Sequence, residues 1–254
     1  MEQILTFLDP QGHRVAAILA TPEAATHRAA VLCHGFLSGK RSTTNRTLTR
    51  MLNERGIATF AFDFFGQGDS DGPFEKLTTT IAVTQAMAAL DLMRQKGFTR
   101  LGLLGSSFGG LVAILTAAQR HDLACLALKC PVVDFAEELR LTLGDGEMAA
   151  WKKTGTIPNI MGGAERIRLH YAFYENCLQQ IAYEPAKRIT APTLIVQGDQ
   201  DECVPLHQSR QLSDALTTAK RLELLPGADH QFTKAADFAR MTTLLSEWLA
   251  AHLS

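Results

Sequence analysis

The feature that most constrains this chain is a repeated alternation. Short, uniformly apolar runs take turns with longer segments of helical period. Ala29–Cys33, Ile57–Phe62, Leu101–Leu104, Leu123–Leu128, Pro192–Gln197 and Arg221–Leu225 read as strands. Between and after them, Thr43–Arg55, Thr78–Lys96, Phe108–Arg120, Ser209–Ala219 and Asp237–Leu253 read as helices, the first two stopped by Gly56 and Gly97. Strands with no polar alternation are buried on both faces. Separated by helices, they imply a mostly parallel sheet covered on each side, an α/β fold. Ahead of them, Ile4–Leu8 and Val15–Leu19 flank the turn-like Asp9-Pro10-Gln11-Gly12 and read as a hairpin.

The rhythm breaks between about 131 and 185. That stretch sets Met148, Trp151, Met161, Tyr171, Phe173 and Tyr174 among glycines and charges, and it reads as a partly helical inserted cap. The expected organisation is therefore a core of 1–130 and 186–254 with a cap or lid at 131–185. At 254 residues, one domain with an insertion fits better than two equal domains. Lys plus Arg number 25 and Asp plus Glu 26, a net charge of −1, which leaves no overall basic field for nucleic acid or an anionic membrane. No apolar run reaches a membrane-spanning length. The start, MEQILTFLDPQGHR, lacks the basic-then-apolar layout of a signal peptide. The five scattered cysteines give no disulfide framework, so a cytoplasmic location is expected.

In an open α/β sheet, ligands bind at the carboxyl ends of the strands, which directs attention to the residues just after each strand. Leu101-Gly-Leu-Leu-Gly105-Ser106-Ser107-Phe108-Gly109-Gly110 contains G-x-S-x-G centred on Ser107, directly after a strand and opening a helix. This spacing suits a nucleophile on a sharp, strained turn, with glycines leaving room for the strand and helix to approach. The helix N-terminus offers free N–H groups to a developing oxyanion. Ser106 also carries a hydroxyl but lacks the two-residue glycine frame.

A serine needs a base. Of the eight histidines, His13, His27, His121, His170, His207 and His252 sit in loops, at helix ends or in the insertion, and read as exposed or structural. His230 follows the last strand, in Leu225-Pro-Gly-Ala-Asp229-His230, on the same rim as Ser107. For the carboxylate that orients the base, Asp199 and Asp201 compete after the penultimate strand. Asp199 sits in the tight turn beside Gly198, where Asp commonly bonds its own backbone. Asp201 lies further out, within reach of the histidine loop, and is favoured. The chain order Ser107, Asp201, His230 is that of an α/β-hydrolase.

His34-Gly35-Phe36 follows the first parallel strand and supplies a candidate oxyanion loop. The donors would be the backbone N–H groups of Phe36 and Phe108, with His34 shaping the turn. The same stretch is not a phosphate loop: three residues separate Gly35 from Gly39, and Arg41 follows Lys40. Gly66-Gln-Gly68-Asp-Ser-Asp-Gly72 misses the dinucleotide fingerprint by one position. Cys125-x₄-Cys130 has no neighbouring Cys/His pair to make a zinc site. Lys40, Arg41, Arg46, Arg50 and Arg55 read as a solvated helix face.

With these residues in view, the chain resembles the α/β-hydrolase superfamily over nearly its whole length, most of all the small bacterial serine esterases of the cinnamoyl/feruloyl type. The resemblance is carried by His34-Gly35-Phe36, Phe62-Asp63-Phe64-Phe65-Gly66-Gln67-Gly68-Asp69-Ser70-Asp71-Gly72, the Ser107 elbow, Gly198-Asp-Gln-Asp201-x-x-Val204-Pro205 and Gly227-Ala-Asp-His230. It implies an eight-stranded sheet and a triad of Ser107, Asp201 and His230. It also implies oxyanion donors at Phe36 and Phe108, and a cap at 131–185 that forms the acyl or alcohol pocket. Asp63 would hold the loop after its strand. Relatives often carry a larger residue at 106 and Gln or Met at 108, so the Phe108 ring is expected to narrow the pocket. The expected function is a carboxylic-ester hydrolase acting through an acyl-enzyme. A thioesterase or small peptidase with the same triad is the rival, and a non-catalytic binder a more distant one. No metal or organic cofactor is expected. The expected partner is a small-molecule ester, with neither nucleic acid nor membrane, and a homodimer stays open.

Overall fold

Chain reversal at Asp9–Gly12 opens the fold. In the computed structural model, which describes residues 1–160 and 166–254, β1 (Glu2–Leu8) and β2 (Arg14–Ala20) pair antiparallel, with Glu2 opposite Ala20 and Leu8 opposite Arg14. The other core strands are β3 (Arg28–Cys33), β4 (Ala58–Phe62), β5 (Arg100–Ser106), β6 (Leu123–Lys129), β9 (Thr193–Gly198) and β10 (Lys220–Leu225). They complete one eight-stranded sheet in the order β1-β2-β4-β3-β5-β6-β9-β10. Every pairing from β4 to β10 is parallel. Five of these strands, β3, β4, β5, β6 and β9, have at least five buried residues each, as double-sided burial requires.

Helices cover both faces. α1 (Thr43–Asn53) and α8 (Ala235–Leu253) pack on one face over Leu32, Leu104, Ala127 and Val196. α2 (Thr79–Gln95) and α3 (Phe108–Ala117) cover the other, over Val31, Leu103 and Leu128. Side-chain caps fix the starts of α1 and α2: Ser42 accepts from the Asn45 N–H and Thr78 from the Ile81 N–H. α7 spans Leu206–Ala215, three residues earlier than the sequence pattern suggests, because Pro205 pre-sets the backbone just before its first turn. None of the described helices is long and apolar enough to cross a membrane.

The strand order reverses between β3 and β5. Chain from β3 leads to β4 on one side, while β5 lies on the other. The crevice at this switch point is where doubly wound sheets bind ligands, and the loops after β3 and β5 are those of Phe36 and Ser107.

Segment 131–185 lies between β6 and β9. It holds α4 (Phe135–Thr154), bent where Gly144 has φ 70° and ψ 168°, a two-residue ladder of β7 (Thr156–Ile157) and β8 (Leu169–His170), then α5 (Tyr171–Gln179) and α6 (Tyr183–Ala186). Met161 lies outside the described residues. Trp151, Leu169, Phe173 and Cys177 join the main apolar core, and the Trp151 ring N–H donates to the Leu169 carbonyl at 3.0 Å.

Candidate active site

The turn at Ser107 is the strained elbow its spacing predicts. Ser107 has φ 52° and ψ −116°, a left-handed backbone that a side chain rarely adopts. Backbone bonds hold it there: its N–H donates to the Lys129 carbonyl at 2.9 Å, and its carbonyl accepts from Gly110 at 2.8 Å and Val132 at 3.1 Å. It is the N-cap of α3, yet its side chain makes no capping bond. A serine at that position ordinarily spends its oxygen on the helix; here the hydroxyl is kept for another use.

The flanking glycines are there for contact. A Cβ on Gly105 would lie 2.2 Å from the Gly109 carbonyl oxygen. One on Gly109 would lie 2.3 Å from the Cys33 oxygen and 2.4 Å from the His34 oxygen. Helix α3 thus starts pressed against the end of β3, which brings the loops of Phe36 and Phe108 together. A Cβ on Gly35 would stand 3.5 Å from the Ser107 Cβ. Neither the Phe36 nor the Phe108 N–H donates to a protein acceptor among the described residues.

The loop after β3 is held from below. His34 is buried; its Nε2 accepts from the Phe64 N–H at 3.1 Å, so Nδ1 carries the proton and donates to the Gly35 carbonyl at 2.7 Å. Burial pushes its pKa down to about 4, so it stays neutral and shapes the turn. Asp63 accepts from the Lys40 N–H at 2.6 Å, the Asp69 N–H at 2.9 Å and the Lys40 ammonium. It ties the loops after β3 and β4 together. Lys40 therefore does not belong to a solvated face. It is 7% exposed and paired with Asp63 and Asp69, whereas Arg41, Arg46, Arg50 and Arg55 are exposed as expected. Burying an ammonium is tolerable only because carboxylates meet it.

His230 and Asp201 come together on the opposite wall. His230 Nδ1 lies 2.9 Å from both carboxylate oxygens of Asp201, and the two side chains are 5% and 1% exposed. Asp201 also accepts from the N–H groups of Cys203 (3.0 Å) and Val204 (2.9 Å) and from Gln197 (3.1 Å). Burial alone would push its carboxyl up, but donation from His230 and Val204 outweighs this and holds it below the usual range. An ionised carboxylate only accepts, so Nδ1 carries the proton and Nε2 is left as a lone pair. The Asp199 carboxylate accepts from the Gly227 N–H at 2.7 Å and from the Gln200 side-chain amide at 3.4 Å instead of from its own backbone, and so anchors the start of the histidine loop.

Ser107 and His230 line one cavity of about 650 Å³. Among the described residues no hydrogen bond joins the Ser107 hydroxyl to the imidazole; such bonds commonly tighten only around substrate. The walls come from core loops after β3, β5, β6 and β10, and none of the described residues of 131–185 contributes. That segment instead fills the other side of the elbow with rings. Phe173 packs 5.5 Å from Phe36, 6.2 Å from Phe108 and 5.4 Å from Phe135. Phe108 is fully buried in this group, so its ring does not narrow the cavity while its N–H remains available.

Two residues that sequence reasoning passed over also hold the backbone of His230. The Glu202 carboxylate accepts from the His230 N–H at 3.1 Å, and the Lys129 ammonium donates to the His230 carbonyl at 2.8 Å. Neither has a motif to announce it; Lys129 ends β6 and Glu202 lies four residues beyond β9. As for metals, Cys130, Asp201 and His230 place ligand atoms within 4.8 Å of one another. Burial pushes the Cys130 thiol up, so it keeps its proton, and both Asp201 oxygens are already engaged. The set suits proton handling better than a cation.

The alpha/beta hydrolase family profile matches residues 30–241. The chain is similar in structure to Est1E from Butyrivibrio proteoclasticus, determined with ferulic acid bound, at TM-score 0.85 and 26% identity over 98% of each chain. It is similar in sequence to the human serine hydrolase BPHL, 25% identical over 215 residues, 80% of this chain and 72% of that one. It is also similar to the bovine mitochondrial palmitoyl-protein thioesterase ABHD10, 22% identical over 207 residues, 80% of this chain and 67% of that one. With its sheet, elbow and loop order as described, the chain belongs to the alpha/beta hydrolase family and is a hydrolase with relatives of esterase and thioesterase type.

Proposed function

We propose that this protein is a serine hydrolase that cleaves small carboxylic esters through an acyl-enzyme on Ser107. One observation carries the reading: a buried Asp201–His230 pair faces the same cavity as a serine whose hydroxyl its helix leaves free. His230 Nε2 takes the Ser107 proton as the oxygen attacks the acyl carbon. The oxyanion that forms is met by the N–H groups of Phe36 and Phe108. His230 then returns the proton to the leaving alcohol, and the same nitrogen activates water to release the acid. Asp201 holds the imidazole and stabilises its charged form without itself taking the proton.

In this reading 131–185 is an insertion into a core of 1–130 and 186–254, and its Phe135 and Phe173 rings fix the oxyanion loop. Similarity to a protein solved with ferulic acid supports aromatic acyl groups. Similarity to a palmitoyl-protein thioesterase supports thioesters as the second reading, since the same acyl-enzyme serves both. A fluorophosphonate should label Ser107 in the wild type and not in Ser107→Ala. Turnover on 4-nitrophenyl acetate, feruloyl esters, palmitoyl-CoA and aminoacyl anilides then ranks the substrates. Activity retained by Ser107→Ala would refute the proposal, and preference for anilides would replace esterase with peptidase.

A further inference from the structure

The cavity has a floor and a wall that the reaction just drawn leaves unused. Ser106 and Lys129 form the floor, paired side by side at the ends of β5 and β6. Lys129 is 5% exposed and has no carboxylate partner among the described residues. Its ammonium donates to the His230 carbonyl and lies 5.3 Å from the centre of the Phe232 ring. An ammonium has three donors; one carbonyl uses one of them, and a ring face offers only its quadrupole. The Ser106 hydroxyl is 8% exposed as a residue, and its oxygen is buried with no hydrogen-bond partner.

The wall is the first turn of α1, an eleven-residue helix. The N–H groups of Thr43 and Thr44 donate to no acceptor among the described residues, and the positive end of the helix dipole faces the space. Among the described residues no acidic side chain lines the cavity. A fixed cation, an idle hydroxyl and free helix N–H groups thus surround one volume with nothing negative to answer them. Buried charge without a partner is costly, and the cost falls when an oxyanion enters.

Building on the Ser107 reading, we propose that this cavity selects esters that carry a second, anionic group, a carboxylate or a phosphate. Lys129 supplies the counter-charge, and Ser106 and the start of α1 supply donors. The test compares 4-nitrophenyl hemiadipate with the neutral 4-nitrophenyl hexanoate. In the wild type the hemiadipate should be favoured in kcat/KM by about tenfold or more, mainly through KM, as expected for a hydrogen bond to a charged group. Lys129→Gln keeps an N–H for the His230 carbonyl but not the charge, and should reduce this preference to about one. Equal hydrolysis of the two esters by the wild type overturns the proposal. So does a Lys129→Gln variant that loses kcat equally on both, which would make Lys129 only a support for His230.

Competitive inhibition by pentanoate and by butyl phosphate separates the two anions. If neither ester is turned over and fluorophosphonate leaves Ser107 unlabelled, the Ser107 reading fails by itself. Calorimetric binding of pentanoate or butyl phosphate, lost in Lys129→Gln, still upholds anion selection in that case, and absence of binding by both rejects it.

Discussion

Gly109→Ala isolates the contact on which the proposed oxyanion loops depend. The new methyl would sit 2.3 Å from the Cys33 oxygen and 2.4 Å from the His34 oxygen, and real Cβ contacts essentially never fall below 3.0 Å. Both obstacles are backbone, so no side chain can rotate away. Helix α3 and the end of β3 must part by about 0.7 Å to restore 3.0 Å. Overpacking of this kind costs about 1–3 kcal/mol, and two rigid carbonyls place it near the upper end. For a chain of this size, about 3 kcal/mol lowers Tm by roughly 6–12 °C. The same movement carries the Phe108 N–H on α3 away from the Phe36 N–H after β3. Losing one oxyanion donor costs about 10²–10³ in turnover, so kcat should fall by that much in protein still folded at 25 °C. Calorimetry and kcat on 4-nitrophenyl acetate measure the two effects. Gly146→Ala is the control: its Cβ meets nothing within 4 Å, and a helix-interior Gly→Ala change gains about 0.5–1 kcal/mol. If Gly109→Ala melts within about 1 °C of the wild type and keeps its kcat, the reasoning fails, because a close-packed backbone contact of this kind cannot absorb a methyl silently.

Three further outcomes follow from the same geometry. Asp201→Asn should fold normally yet lose about 10⁴ in kcat, because an amide no longer holds Nδ1 as the donor; circular dichroism with steady-state kinetics checks both halves. Asp63→Asn should destabilise by about 3 kcal/mol, since it removes a buried charge from the buried Lys40 ammonium, and Asp69→Asn should change urea stability far less because Asp69 is exposed. Glu138 has a buried, unpartnered Oε2, and burial with the nearby Asp201 charge pushes its pKa up to about 8 from 4.5. The folded state then binds a proton that the unfolded state has lost, so stability drains away as pH rises from 4.5 through 8. Glu138→Gln should therefore melt close to the wild type at pH 4 and clearly above it at pH 9.

Most of the frame was legible because periodicity and glycine punctuation report local physics. The elbow at Ser107 and the loop of His230 each follow an apolar strand, and an α/β sheet leaves such positions at one rim. The choice of Asp201 over Asp199 followed from reach, and in the structure Asp201 lies 2.9 Å from His230 Nδ1. What stayed hidden depends on distant packing. Lys40 sits next to Arg41 in the sequence, and only the fold brings Asp63 beneath it. Nothing local distinguishes Lys129 from a strand-end surface lysine, and its burial is set by the loop of Phe232 and His230. The rings of Phe135 and Phe173 showed composition but not direction. They close one side of the elbow, and the opening faces α1.

The stitching of residue 107 to the end of β6 has a wider implication. Main-chain bonds to Lys129 and Val132 impose the awkward torsion whatever side chain is carried there. The turn behaves as a socket indifferent to its plug: a thiol or a carboxylate installed at this point inherits the same half-buried perch at the cavity. Exchanging the side chain there leaves these main-chain bonds of the scaffold in place.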